Sequence, residues 1–236
     1  MIEDRWGDRD GVELHYLVQR GPAGLLPLVY VPGSLGKAEE FRAEMERLAP
    51  RTALAVDERG VFEGEGAPEV GYTFEDRVAD LEAVVADAAL GPACVMAFSL
   101  GVPIALGYAV RHPAQVRGLI LLDYPARYPG RDDAWLERAL PFARERGVPE
   151  RVVRAIHRDA AQVELWSELG ALRCPVLLVA GGQSPSVSAE DLERYRDALP
   201  DLQVEVFEDA GHEVFRPDYE RFMRLIEGFL AELDEA

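Results

Sequence analysis

Ala93-Cys94-Val95-Met96-Ala97-Phe98-Ser99-Leu100-Gly101 is an apolar run that stops at a serine, with a glycine two positions on. Six consecutive small or apolar residues without polar alternation mark a central strand covered on both faces. From Leu100 to Val110 the chain carries Ile104, Leu106 and Tyr108 on a nearly continuous apolar surface until His112-Pro113 interrupts it, which predicts a helix. A serine on the tight turn between such a strand and helix holds its hydroxyl clear of the backbone. The next amide, that of Leu100, and the helix N-terminus then face the space where an oxyanion forms. Because the turn brings backbones close, small residues must flank it, and here they are Ala97 and Gly101. The same nine residues also fit a serine that merely caps a core helix, so the rest of the chain decides between the two.

Outward from this stretch, strands and helices alternate. Toward the N-terminus, Val12 to Gln19 reads as an outer strand, with His15 a structural residue on it, and Leu26 to Val31 as a short apolar strand. That strand runs into Pro32-Gly33-Ser34-Leu35-Gly36, a loop able to present backbone amides to an anion; the Ser34 amide is the candidate for the second oxyanion donor. Phe41, Met45 and Leu48 give Lys37 to Ala49 a helical face, and Thr52 to Val56 is a further strand before Asp57-Glu58-Arg59-Gly60 and a loop with Gly64, Gly66 and Pro68. Thr73 with Asp76 makes a capping box for the helix that leads to the serine strand.

Toward the C-terminus, Gly118 to Leu122 is an apolar strand closed by Asp123. The alternation then lapses from residue 124 to residue 173, where broken helical patterns carry Trp135, Phe142, Val152, Ile156 and Trp166. It resumes with a strand from Pro175 to Ala180, a helix capped by Ser188 and Asp191, a strand from Leu202 to Phe207, the turn Asp209-Ala210-Gly211-His212 and a closing amphipathic helix. The pattern predicts an α/β fold, a mostly parallel doubly wound sheet whose ligand crevice lies at the carboxyl ends of the strands. Residues 1–123 and 174–236 form the core in this reading, and 124–173 a small helical cap over that edge. Trp135, Phe142 and Trp166 are its expected pocket roof, whereas His157 reads as an ordinary half-exposed helical residue.

Composition narrows the partners. The 236 residues are 48% hydrophobic, enough for one large core, and the formal net charge of −18 is spread along the chain rather than gathered in a tail. Such a field disfavours nucleic acid and anionic membrane surfaces, which leaves a small-molecule substrate as the expected partner. Cys94 and Cys174 read as small buried hydrophobes and give no disulfide framework. With no basic leader at Met1-Ile2-Glu3-Asp4 and no apolar stretch of membrane-spanning length, the expected location is the cytoplasm. No pattern speaks to oligomeric state.

Five segments in order resemble the α/β-hydrolase superfamily over nearly the whole chain: Val31-Pro32-Gly33, Asp57-Glu58-Arg59-Gly60, Ala97-Phe98-Ser99-Leu100-Gly101, the run from His112 to Leu119, and Gly211-His212. The resemblance implies Ser99 as nucleophile, His212 as general base and acid, and the amides of Leu100 and Ser34 as the oxyanion hole. It implies no metal and no organic cofactor. The chemistry agrees, since a serine hydroxyl near neutral pH needs an imidazole to take its proton and return it to the leaving group. His212 is the histidine that follows a late strand in a glycine-containing turn.

The third member departs from the pattern. Where relatives place the acid, the chain reads Gly182-Gln183-Ser184, with serine instead of aspartate. Some relatives carry the acid one strand earlier, which here is Asp123; the alternatives are another acid or a Ser99-His212 dyad. Pro32 in place of the usual histidine and Ala97 in place of the usual glycine are two further departures. The functional expectation is a serine hydrolase acting on a small ester or related acyl compound through an acyl-enzyme. The alternatives are lyase, perhydrolase or acyltransferase chemistry on the same scaffold, or a ligand-binding homologue without turnover.

Overall fold

The computed structural model of the chain describes residues 1–62, 67–183 and 185–235. Eight strands form one sheet: β1 (Ile2–Arg9), β2 (Val12–Gln19), β3 (Leu28–Val31), β4 (Ala53–Val56), β5 (Ala93–Phe98), β6 (Val116–Leu122), β9 (Val176–Gly181) and β10 (Leu202–Phe207), in the spatial order β1-β2-β4-β3-β5-β6-β9-β10. From β4 to β10 every neighbouring pair is parallel, while β1 and β2 join by antiparallel pairing. Among the described residues, seven α-helices accompany the sheet: α1 (Arg42–Arg47), α2 (Phe74–Asp87), α3 (Gly101–Arg111), α4 (Asp133–Glu145), α5 (Glu150–Asp159), α6 (Ala189–Ala198) and α7 (Tyr219–Glu235). The central strands β3, β4, β5 and β9 are buried almost throughout, as their uninterrupted apolar runs require.

Two apolar clusters flank the sheet. One packs α2 and α3 against it through Phe74, Val78, Leu81, Val102 and Leu106, and the other seats α7 and the Phe41-Met45 segment against its opposite face through Phe222, Ile226 and Phe229. Capping boxes at Thr73/Asp76 and Ser188/Asp191 open α2 and α6, each satisfying two orphan helix donors reciprocally.

One expectation needs correction. β2 is not the outer strand, because Ile2–Arg9 pairs along its whole length as β1. Five of that strand's eight residues are charged and most are exposed, so it lacks the apolar alternation that announces a strand. A charged edge of this kind resists pairing with other chains.

Between β6 and β9 lie the two-residue strands β7 (Arg127–Tyr128) and β8 (Val163–Glu164), paired with each other, and the helices α4 and α5. These helices bury Ala139, Ala143, Val152, Val153 and Ile156 together with Leu35, Val61 and Tyr72 from the core loops. No helix among the described residues is long and apolar enough to cross a membrane.

Candidate active site

Ser99 sits where β5 turns into α3, with φ of +51°. A non-glycine residue in the left-handed region is costly, and the surrounding bonds hold it there: Ser99 N–H donates to the Leu122 carbonyl (3.1 Å), and its own carbonyl accepts from Val102 N–H (2.9 Å). Gly101 is required by close approach. A Cβ there would stand 2.5 Å from the carbonyl oxygens of both Val31 and Pro32, so any side chain would force the helix away from β3 and the loop after it.

Asp123 ends the adjacent strand β6 with φ of +47°, fully buried. Two backbone donors hold its carboxylate: Gly181 N–H reaches Oδ1 (3.2 Å) and Ser186 N–H reaches Oδ2 (2.9 Å). Such bonds offset the desolvation of a buried polar group. Gly181 also permits the turn after β10 to close over β9, since a Cβ at Gly181 would lie 2.3 Å from the Gly211 carbonyl oxygen. That approach delivers His212.

His212 Nδ1 lies 2.8 Å from Asp123 Oδ2, and Nε2 lies 2.9 Å from Ser99 Oγ. An ionised carboxylate only accepts, so Nδ1 carries the proton and donates, which leaves the Nε2 lone pair to accept the Ser99 hydroxyl. Ser186 Oγ is a further partner of Nδ1 at 3.0 Å. The imidazole packs at 4.9 Å from the Phe98 ring, fixing its plane. Ser184 lies outside the described residues, as does the loop with Gly64 and Gly66.

The loop carrying Ser34 is clamped from below. Leu35, itself at φ of +56°, donates its N–H to the buried Glu58 carboxylate, Glu58 N–H donates to the Gly36 carbonyl (3.1 Å), and Arg77 pairs with Glu58. Asp57 accepts Ala38 N–H at the far end of the loop (2.5 Å). The α4–α5 segment binds it from above: Arg146 Nε donates to the Leu35 carbonyl (3.0 Å), Lys37 Nζ to the Arg146 carbonyl (3.0 Å), and the Arg146 guanidinium pairs with Glu40. Ser34 and Ser99 line the same cavity. The Leu100 amide stands at the N-terminal turn of α3, where N–H groups have no intrahelical acceptor.

That cavity has a volume of about 540 Å³, within the range of small-molecule sites. His212, Phe98, Phe215 and Phe142 line it. Of the three aromatic residues expected at the pocket roof, Phe142 is therefore there and the other two are not among its lining. Trp135 packs with the α4–α5 cluster, with the Arg131 guanidinium 4.8 Å from its ring, and Trp166 lies edge-on to Tyr195 with Arg194 over it at 4.0 Å. Each indole buries against its nearest helix rather than over Ser99. His157 pairs with Asp133 (3.2 Å).

Sequence reasoning passed over Glu44, Arg146 and Ser186. Glu44 follows Phe41 by three residues and precedes Leu48 by four, so an acid stood on an apolar helical face and was open to notice. Arg146 and Ser186 had no such signal. Among the described residues no group of three or more His, Cys, Asp or Glu side chains could hold a metal ion.

A family model described as the alpha/beta hydrolase family matches residues 28–225. N-formylmaleamate deformylase of Pseudomonas putida is 25% identical, the match covering 94% of each chain. 2-(Acetamidomethylene)succinate hydrolase of Mesorhizobium japonicum is 25% identical over 86% of this chain and 87% of its own. Among solved structures, an esterase from Exiguobacterium antarcticum superposes with a TM-score of 0.81 at 19% identity, over 97% of this chain and 100% of that one, and so shares the fold. With the family model spanning β3 to α7, the chain belongs to the alpha/beta hydrolase family of enzymes.

Proposed function

We propose that the protein is a serine hydrolase that cleaves a small ester or related acyl compound through an acyl-enzyme at Ser99. The observation that carries this reading is the continuous relay from Ser99 Oγ to His212 Nε2 (2.9 Å) and from His212 Nδ1 to Asp123 Oδ2 (2.8 Å). As Ser99 Oγ bonds to the acyl carbon, His212 takes the hydroxyl proton on Nε2, and the carbonyl electrons move onto oxygen facing the Leu100 and Ser34 amides. Collapse breaks the bond to the leaving alcohol or amine, which takes the proton from Nε2. Water then attacks the acyl-enzyme with the same proton path and regenerates Ser99. Asp123 stays ionised throughout, holding the imidazole tautomer and stabilising its cation.

Two relatives, one named as a deformylase and one for an acetamidomethylene compound, extend the candidate substrates from esters to amides. A carboxylate at Asp123 within hydrogen-bond reach of His212 favours turnover over a binding-only homologue. The test is labelling by a fluorophosphonate probe. Wild-type protein is expected to label and Ser99→Ala is not; folded wild type that fails to label overturns the reading. Labelling without hydrolysis of any ester or amide moves it to acyltransferase, perhydrolase or lyase chemistry.

A further inference from the structure

The Ser34 amide, the candidate second oxyanion donor, belongs to a turn that its own residues do not favour. Gly36 N–H donates to the Gly33 carbonyl (3.0 Å), closing the turn Gly33-Ser34-Leu35-Gly36, and Leu35 stands at its third position with φ of +56°. Glycine normally takes that position, and for leucine the conformation is strained. The turn lies against the nucleophile, since a Cβ on Gly33 would stand 3.1 Å from the Ser99 Cβ. Rotating the Ser34–Leu35 peptide would return Leu35 to an ordinary conformation and reorient the backbone beside Ser99. The donor is therefore only as well placed as the bonds that hold Leu35.

Those bonds come from two sides. Below, Leu35 N–H donates to the Glu58 carboxylate. Above, Arg146 Nε donates to the Leu35 carbonyl (3.0 Å) while its Nη2 pairs with Glu40, and Lys37 Nζ returns a bond to the Arg146 carbonyl (3.0 Å). A planar guanidinium serves two acceptors at once in fixed directions, which an ammonium does not reproduce. The Leu35 side chain is fully buried in the α4–α5 cluster beside Ala139, Ala143 and Val152. Arg146 caps the C-terminus of α4, and Phe142, one turn earlier, lines the cavity with the guanidinium 5.1 Å from its ring. One turn of α4 thus borders the cavity and also holds the residue next to the donor.

We propose that Arg146 is a positioning residue for the oxyanion hole. By holding Leu35 in its left-handed conformation, it keeps the Ser34 amide aimed at the oxygen on which charge develops, so the cap acts on the transition state as well as on the shape of the pocket. A preorganised donor of this kind strengthens as charge forms and adds little to binding of the uncharged substrate. The inference rests on the hydrolase reading of the same site.

The variants Arg146→Met, Arg146→Lys and Glu40→Gln, assayed on ethyl butanoate, separate this role from a merely structural one. In Arg146→Met, kcat is expected to fall by about 10 to 30-fold, less than for outright removal of a donor, with KM within about threefold of wild type. Glu40→Gln leaves the Leu35 bond in place and is expected to cost less than about threefold in kcat. Arg146→Lys keeps the charge and covers the case of a methionine variant that does not fold; its kcat is expected to fall by at least about threefold at unchanged KM. A normal kcat in both Arg146 variants, a loss confined to KM, or an equal loss in Glu40→Gln overturns the proposal. Calorimetric titration with butylboronic acid needs no turnover. Its boron accepts a lone pair from Ser99 Oγ, whose proton passes to His212, and the anionic tetrahedral adduct mimics the transition state. Binding is expected to weaken in Arg146→Met by the same factor as kcat/KM. Weakened binding without turnover of any ester or amide by wild type keeps the role of Arg146 and ends the hydrolase reading. Equal binding in wild type and Arg146→Met, or none in either, overturns that role, and ester turnover by wild type then leaves the hydrolase reading standing.

Discussion

In two histidine–aspartate couples, at His212 and at His15, Nδ1 meets the aspartate, and the two differ in what stands at Nε2. At the strand edge, His212 Nδ1 meets Asp123 at 2.8 Å and Nε2 meets a serine hydroxyl. On β2, His15 Nδ1 meets Asp57 at 2.5 Å and Nε2 meets a second carboxylate, Asp4, at 3.1 Å. A neutral imidazole flanked by a carboxylate and a hydroxyl has a lone pair to give. One flanked by two carboxylates is instead held as the cation, because both nitrogens must donate. Exposure follows the same division: the His212 side chain is 35% exposed beside the cavity, while that of His15 is 5% exposed, stacked on Phe62 at 3.8 Å. Burial lowers the His15 pKa, but the hydrogen bonds and charges of Asp57 and Asp4 outweigh it, and the net shift is upward. A histidine–aspartate pair is thus not a catalytic signature by itself; what lies at the other nitrogen decides.

The sharpest way to break the comparison is at the hydroxyl. On the proposed hydrolase reading, Ser99→Ala is expected to cost about 10⁶-fold in kcat, because the couple at His212 would then have no hydroxyl to activate. Asp123→Asn, which reverses the favoured tautomer while keeping shape, is expected to cost about 10⁴-fold in kcat. Steady-state kinetics on whichever ester is turned over checks both, and near-normal activity in Asp123→Asn would remove the distinction between the two couples.

Glu58→Gln attacks the support rather than the relay. With the clamp on Leu35 weakened and Arg77 left buried without its counter-charge, a loss of about 10 to 100-fold in kcat and about 3 kcal/mol in stability is expected, read by kinetics and denaturant unfolding.

His15→Gln should do the converse, touching stability and leaving kcat within about threefold of wild type. The folded protein binds the His15 proton more tightly than the unfolded chain, whose ordinary value is 6.5. Its contribution is therefore fully present below that value and lost as pH rises through the raised folded one. The substitution is expected to cost about 1–3 kcal/mol at pH 5.5 and less at pH 9, and an equal loss at both would mean that the charge contributes nothing.

Ser186→Ala is the smallest test. It removes the hydroxyl beside His212 Nδ1 but keeps Asp123 and the amide that holds it, so kcat should change by less than about threefold.

Strand and helix order, the serine turn and the late glycine-histidine turn were legible because each rests on local chemistry: an apolar run, a capping box, a breaker, a glycine at a crowded point. β1 escaped for the matching reason that its residues are charged. The acid was a different kind of question. Asp123 lies 89 residues from His212, and β9 stands between the strands that carry them. Until the turns after β9 and β10 fold over the end of β6, nothing distinguishes that aspartate from any other strand-end residue. The same holds for Trp135 and Trp166, apolar enough for a pocket but buried elsewhere by their nearest helices. Glu44 shared a helical face with Phe41 and Leu48, yet only packing brought that face to the cavity. Sequence by itself determined the fold and the pair Ser99 and His212, since these are written in short-range pattern. Tertiary structure decided which aspartate reaches His212, the cavity wall and which histidine–aspartate couple faces a hydroxyl, since those depend on which strand ends the folded sheet brings together.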